Sequence, residues 1–107
     1  MNSKKFYWVY ATGPNKEEAL RMAHILIKEK QAACVNVFPK GVSVYQWEGK
    51  IQEEDEIYFV LKTTAEKLTS LQARLVELHP YSCPCVVALP IQSGNPDFLD
   101  WVEKQLE

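Results

Sequence analysis

The sequence predicts an α+β fold: a ferredoxin-like split β-α-β sandwich with a long β-hairpin and an extra C-terminal helix. Three features predict it. An aromatic alternation opens the chain, two amphipathic stretches carry helix-terminus signals, and a long run of branched residues is interrupted by a single tight turn.

The opening "KFYWVYATG" alternates Phe6, Trp8 and Tyr10 with Tyr7 and Val9, so Phe6 to Thr12 reads as a strand. Both faces are apolar, as in a central strand covered on each side. Gly13 and Pro14 end it. In "GPNKEEALRMAHILIKEKQAAC", Asn15 is a helix cap, and Glu17 and Glu18 sit where the helix dipole favours negative charge. Ala19, Ala23, Leu26 and Lys30 share a face with Leu20 and Ile27 beside them, and the small residues allow close approach to a sheet.

Val35 and Val37, then Val42, Val44 and Trp47, read as a strand broken at Pro39–Gly41, where Pro39 cannot donate to a ladder and a bulge is expected. "WEGK" is a turn with Gly49 at its tip, and "EIYFVLKTT" is the third strand. The two strands form a hairpin whose tip projects beyond a small domain. "TTAEKLTSLQARLVELHP" is a helix: Thr63 and Glu66 have capping-box spacing, Leu68, Leu71, Leu75 and Leu78 form a stripe, and Pro80 pushes His79 out of helical conformation. "CPCVVALPI" is a short strand with prolines at both ends, marking an edge or an irregular rim. "SGNPDFLDWVEKQLE" is a terminal helix with Asn95 as cap, Pro96 in its first position, and Phe98, Trp101, Val102 and Leu106 as its packing face. The order strand, helix, strand, strand, helix, strand defines the fold class. One domain is expected over residues 1–107.

Composition bounds the function. The 107 residues are 47% hydrophobic and 24% charged, with net charge -2. No basic cluster can follow a phosphate backbone, so nucleic acid is not an expected partner. No apolar run is long enough to span a bilayer, and the basic start "MNSKK" lacks the apolar core of a signal peptide. A cytoplasmic location is expected. Three cysteines is an odd count for a disulfide framework, and the cytosol keeps thiols reduced.

Within "HPYSCPC", His79, Cys83 and Cys85 are the densest set of candidate ligands. On an extended segment Cys83 and Cys85 point to one face, and thiolates favour Cu(I) or zinc. The alternative is that buried thiols pack as small hydrophobes. Cys34, in "AACVNV", reads as a core thiol, and His24 as a solvated or rim histidine. The acidic run Glu53–Glu56 reads as the charged start of a strand that discourages edge pairing, with a diffuse hard-cation site as the other reading. Tyr45, Trp47, Lys50 and Lys62 are candidates to line a cleft with Tyr81, or to pack an interface. No Ser–His–Asp set, phosphate loop or catalytic acid pair is present, so an enzyme is not expected.

The motifs "EEAL", "AACVN", "YQWEGK", "LKTT", "HPY" and "NPDFLDWV" closely resemble the CutA family of divalent-cation tolerance proteins over nearly the whole chain. The resemblance implies a ferredoxin-like protomer in a tight homotrimer, in which neighbouring subunits cover the hairpin edges. It also implies a fold similar to the PII signalling trimers and an association with copper and other divalent metals. Cys34 and His79 match positions linked with metal in the family. Trp47, Lys50, Lys62 and Tyr81 match a cluster near the cleft between subunits. Cys85 departs from the pattern by replacing an acidic residue, and Cys83 occupies a variable position. The expectation is therefore a non-enzymatic trimer that binds Cu or Zn, with no metal required for folding. The alternative is a PII-like regulatory trimer binding a small molecule or an unidentified partner protein in its clefts.

Overall fold

A computed structural model describes residues 5–107; the basic start at residues 1–4 lies outside the described residues. Seven elements follow in order: β1 (Phe6–Gly13), α1 (Lys16–Lys28), β2 (Cys34–Trp47), β3 (Lys50–Thr64), α2 (Ala65–Leu78), β4 (Val86–Ile91) and α3 (Pro96–Gln105). The four strands form one antiparallel sheet in the order β2-β3-β1-β4, which is the split β-α-β topology.

One face of the sheet carries the core. Val9 and Ala11 of β1 and Ile57, Phe59 and Leu61 of β3 pack against Ala19, Met22 and Leu26 of α1 and Leu71 and Leu75 of α2. Each large side chain buried here contributes about 1.5–3 kcal/mol. Leu20 and Ile27 are 38% and 40% exposed, so the packing face of α1 is rotated toward Met22 from the predicted one. Lys30 lies beyond the helix at φ 58 and donates to the Glu107 carbonyl at 2.6 Å. Among the described residues, the second face of the sheet is covered at one end, where Val102 and Leu106 of α3 pack on Phe6 and Ala33. Phe98 and Trp101, expected on that packing face, stay exposed because Leu99 takes the inward position between them. β1 is central, as predicted, but Trp8 on its second face is 37% exposed.

The caps differ in their success. Asn15 accepts from the Glu18 N–H at 2.8 Å, and Asn95 accepts from the Asp97 N–H at 3.1 Å. Thr63 does not cap α2. Its hydroxyl donates to the Gln31 carbonyl at 2.8 Å, and the cap position falls on Thr64, which makes no side-chain cap bond. His79 is extended at φ -72 and ψ 138, the conformation that Pro80 imposes.

Two irregularities shape the hairpin. Between Phe38↔Tyr58 and Gly41↔Glu56, β2 advances one residue more than β3, which makes a bulge at Pro39–Lys40. Side-chain parity changes there. Cys34 and Asn36 share the second face with Val60 and Lys62. Beyond the bulge, Ser43 and Tyr45 share that face with Glu54 and Glu56. At the tip, Trp47 pairs with Lys50, and Glu48 and Gly49 both take positive φ, as a type I′ turn requires. β3 therefore starts at Lys50 rather than Glu56, and the acidic run lies inside it.

β4 starts at Val86, so Cys83 and Cys85 precede the strand rather than lying on it. The β1–β4 ladder stops at Ala11↔Val86 because the next acceptor, the Thr12 carbonyl, is taken by His79. Residues 80–83 form a bend instead.

Candidate functional site

Where that bend meets the lower hairpin, an open groove of about 720 Å³ forms. Tyr45, Trp47 and Tyr81 give it aromatic walls, and Cys83 and Cys85 open into it from the bend. Glu54, Asp55 and Glu56 supply its acidic side. The bulge makes this grouping possible, since without the parity change Tyr45 would face away from Glu54.

Glu56 is the hub. Its Oε1 accepts from the Ser43 hydroxyl, and its Oε2 accepts from the Tyr81 hydroxyl at 2.9 Å. Tyr45 donates to Glu54. Burial first, and then the bond to Glu56, pushes the Tyr81 phenol well above its ordinary range. The bond to Glu54 raises Tyr45. Partial burial, then the Glu56 charge, raises the Cys85 thiol. Tyr10, on the neighbouring strand, is raised by burial and by Cys85 and Glu56.

His79 lies beneath the groove, 7% exposed, with its ring 4.7 Å from that of Tyr81. Its Nδ1 accepts from the Tyr81 N–H at 3.1 Å, so Nε2 carries the proton and donates to the Thr12 carbonyl at 2.6 Å. Both ring nitrogens are thus engaged, and a metal bond through His79 must replace one of these contacts.

The sequence-derived candidates separate into three places. Trp47, Tyr81, Cys83 and Cys85 line the groove, with His79 under it. Lys50 is exposed at the hairpin tip. Cys34 and Lys62 sit at the base of the hairpin as cross-strand partners, with Lys62 Nζ 3.5 Å from Cys34 Sγ and also bonded to Asn36. Among the described residues, no set of three or more His, Cys, Asp or Glu side chains converges to hold a metal ion. The donors that fit a soft ion are the two groove thiols, which make no hydrogen bond within the described protein. The residues that sequence reasoning missed are Glu56 and Ser43. The carboxylate was visible only as part of an acidic run.

This architecture defines a class: a ferredoxin-like domain whose extended hairpin and post-helix bend border an acidic, aromatic groove. The chain belongs to the CutA1 divalent ion tolerance protein family, whose sequence profile matches residues 7–105. It is 41% identical over 100 residues to the divalent-cation tolerance protein CutA of Archaeoglobus fulgidus, covering 94% of this chain and 97% of that one. It is 42% identical to the Thermus thermophilus protein of the same name, covering 90% and 93%. The crystal structure of CutA1 from Ehrlichia chaffeensis superposes with a TM-score of 0.94 at 31% identity, covering 99% of each chain. That of CutA1 from Oryza sativa gives 0.93 at 42% identity, covering 96% and 94%. Relatives differ in their stated location: the A. fulgidus structure is described as periplasmic, and a rice relative as chloroplastic. Among the described residues no helix is long and apolar enough to cross a membrane.

Proposed function

We propose that this protein serves divalent-cation tolerance as a cytoplasmic homotrimer that binds a soft ion, Cu(I) or Zn(II), through Cys83 and Cys85. The carrying observation is that both thiols open into one groove and have no bonding role in the fold. Thiolates suit these ions, and the neighbouring Glu54–Glu56 carboxylates add negative potential that attracts a cation. His79 acts here as the residue that holds the bend in place, and Cys34 lies outside the groove. Binding, not catalysis, is the proposed activity.

Trimer formation is supported by what the protomer leaves uncovered. On the second face Trp8, Phe38 and Leu89 are 37%, 41% and 50% exposed, and on the hairpin Val42, Val44 and Ile51 are 62%, 64% and 79% exposed. Apolar surface of this extent beside two sheet edges is an interface signature. Native mass spectrometry of reduced, metal-free protein tests both parts. The expected result is a trimer that takes one Cu(I) per chain, with the ion lost and the trimer kept in the Cys83→Ser/Cys85→Ser variant. Unchanged Cu(I) uptake in that variant rejects the thiol site.

A second reading rests on the three aromatic walls: a PII-like regulator that binds a small molecule or a partner protein in subunit clefts. Ligands that raise the melting temperature of the metal-free protein, and fail to do so in Trp47→Ala, support it. A broad screen with no shift counts against it.

A further inference from the structure

Cys34 and Lys62 face each other across β2 and β3, and the ladder holds their backbones together regardless of side-chain motion. Lys62 Nζ is anchored by Asn36 Oδ1 and lies 3.5 Å from Cys34 Sγ. Cys34 is half-buried. Cys83 and Cys85 have no amine in contact. We infer that Cys34 and Lys62 form an oxidation-sensitive pair, in which hydrogen peroxide converts them to a sulfenyl amide that joins β2 covalently to β3.

The chemistry balances in two steps. The Cys34 sulfur attacks a peroxide oxygen; the S–O bond forms, the O–O bond breaks, and the thiol proton leaves with the departing hydroxide as water. Sulfur is oxidised by two electrons and the peroxide is reduced, leaving a sulfenic acid. Lys62, after giving its ammonium proton to solvent, attacks the sulfur. The N–S bond forms, the S–O bond breaks, and hydroxide leaves with a nitrogen proton as a second water. Condensation of a sulfenic acid with a backbone nitrogen is the known parallel. Here a side-chain amine already in contact takes that place, ahead of further oxidation. Neither step needs a metal, so the inference is independent of the proposed groove site.

The test uses the full chain carrying Cys83→Ser and Cys85→Ser, because a disulfide between those thiols would give the same mass change. The protein is treated with a modest excess of hydrogen peroxide, and intact mass and peptide maps are recorded. The expected product is lighter by about 2 Da, the loss of two hydrogens. Its map shows a joined peptide containing Cys34 and Lys62, with tryptic cleavage at Lys62 blocked, and dithiothreitol reverses it. The product is absent from Lys62→Arg. Oxidation of Cys34 to sulfinic acid with Lys62 unmodified overturns the inference, as does a joined peptide that retains an added oxygen. The parent measurement decides the matter even where Lys62→Arg folds poorly.

Discussion

The Tyr81 hydroxyl donates to Glu56 Oε2 at 2.9 Å and ties the bend after α2 to the middle of β3, 25 residues earlier in sequence. With Ser43 on the other carboxylate oxygen, one side chain joins three segments of the groove.

Tyr81→Phe is expected to cost about 1 kcal/mol, the net worth of one partly solvated bond to a charged acceptor, measured by urea denaturation. It also changes the alkaline limb. The folded state keeps Tyr81 protonated above its ordinary value, so the unfolded chain binds fewer protons once pH passes about 10. Stability is complete below that pH and falls as pH rises through the raised value. The Phe variant should lose stability less steeply there; an unchanged slope would show that Tyr81 is not the group responsible.

Gly41 is where the bulge rejoins the ladder. A Cβ there would lie 2.6 Å from the Glu56 carbonyl oxygen, a backbone atom that cannot rotate away. Gly41→Ala should cost about 1–3 kcal/mol through forced backbone displacement. It should also loosen the Glu56 hub, read as a downfield or broadened Tyr81 ring signal. A melting temperature equal to that of the parent would show that the bulge absorbs the methyl group without strain.

Most of the fold was legible because periodicity and caps act locally. Asn15, Asn95 and Pro80 signal their boundaries through bonds or sterics within a few residues. Thr63 fitted the cap pattern as well as they did, but its hydroxyl is drawn to the Gln31 carbonyl, a partner 32 residues away that no local rule contains. Cys83 and Cys85 were read onto a strand because extended spacing aligns them, whereas His79 capturing the Thr12 carbonyl ends the ladder first. The groove was half legible: Tyr45, Trp47 and Tyr81 read as cleft residues, while Glu56 was hidden in an acidic run. Its role depends on the bulge changing which residues face it. Lys62 was grouped with the groove, but cross-strand register places it with Cys34 at the base of the hairpin.

At the hairpin tip, the space around a Gly49 Cβ is empty, so substitution there tests backbone conformation alone. Gly49→Ala forces an L-residue to φ 79 and should destabilise by about 1–2 kcal/mol. Glu48, at φ 50, should gain stability as Asn, which tolerates that region. Calorimetry on both variants checks the pair; equal effects of the same sign would contradict the turn assignment.

His79→Ala removes the donor to Thr12 and the acceptor for Tyr81 N–H, and leaves two backbone groups beneath the groove without their partner. The expected loss is about 2–4 kcal/mol. Metal uptake discriminates between the roles of this residue. At a temperature where the variant remains folded, Cu(I) stoichiometry should hold, because the imidazole supports the bend rather than the ion. Loss of binding in a folded His79→Ala protein would make His79 a ligand and would require its ring to leave the position described.

The Cys85 thiol is held above its ordinary value by partial burial and by the charge of Glu56, and only the thiolate binds a soft ion. Metal capture must therefore expel that proton, so Cu(I) affinity should rise with pH and keep rising beyond the ordinary thiol range near about 8.5. Glu56→Gln removes the repelling charge and keeps one acceptor oxygen, so one of the Tyr81 and Ser43 hydroxyls keeps its acceptor and the other must turn to accept from the amide N–H. It should shift the rise to lower pH without abolishing binding, as measured by competition with a chromophoric Cu(I) chelator. The low-pH limb is decisive. If the carboxylate is instead a ligand, the same substitution weakens binding at every pH, and the groove is a mixed oxygen–sulfur site rather than a thiol site beside an electrostatic neighbour.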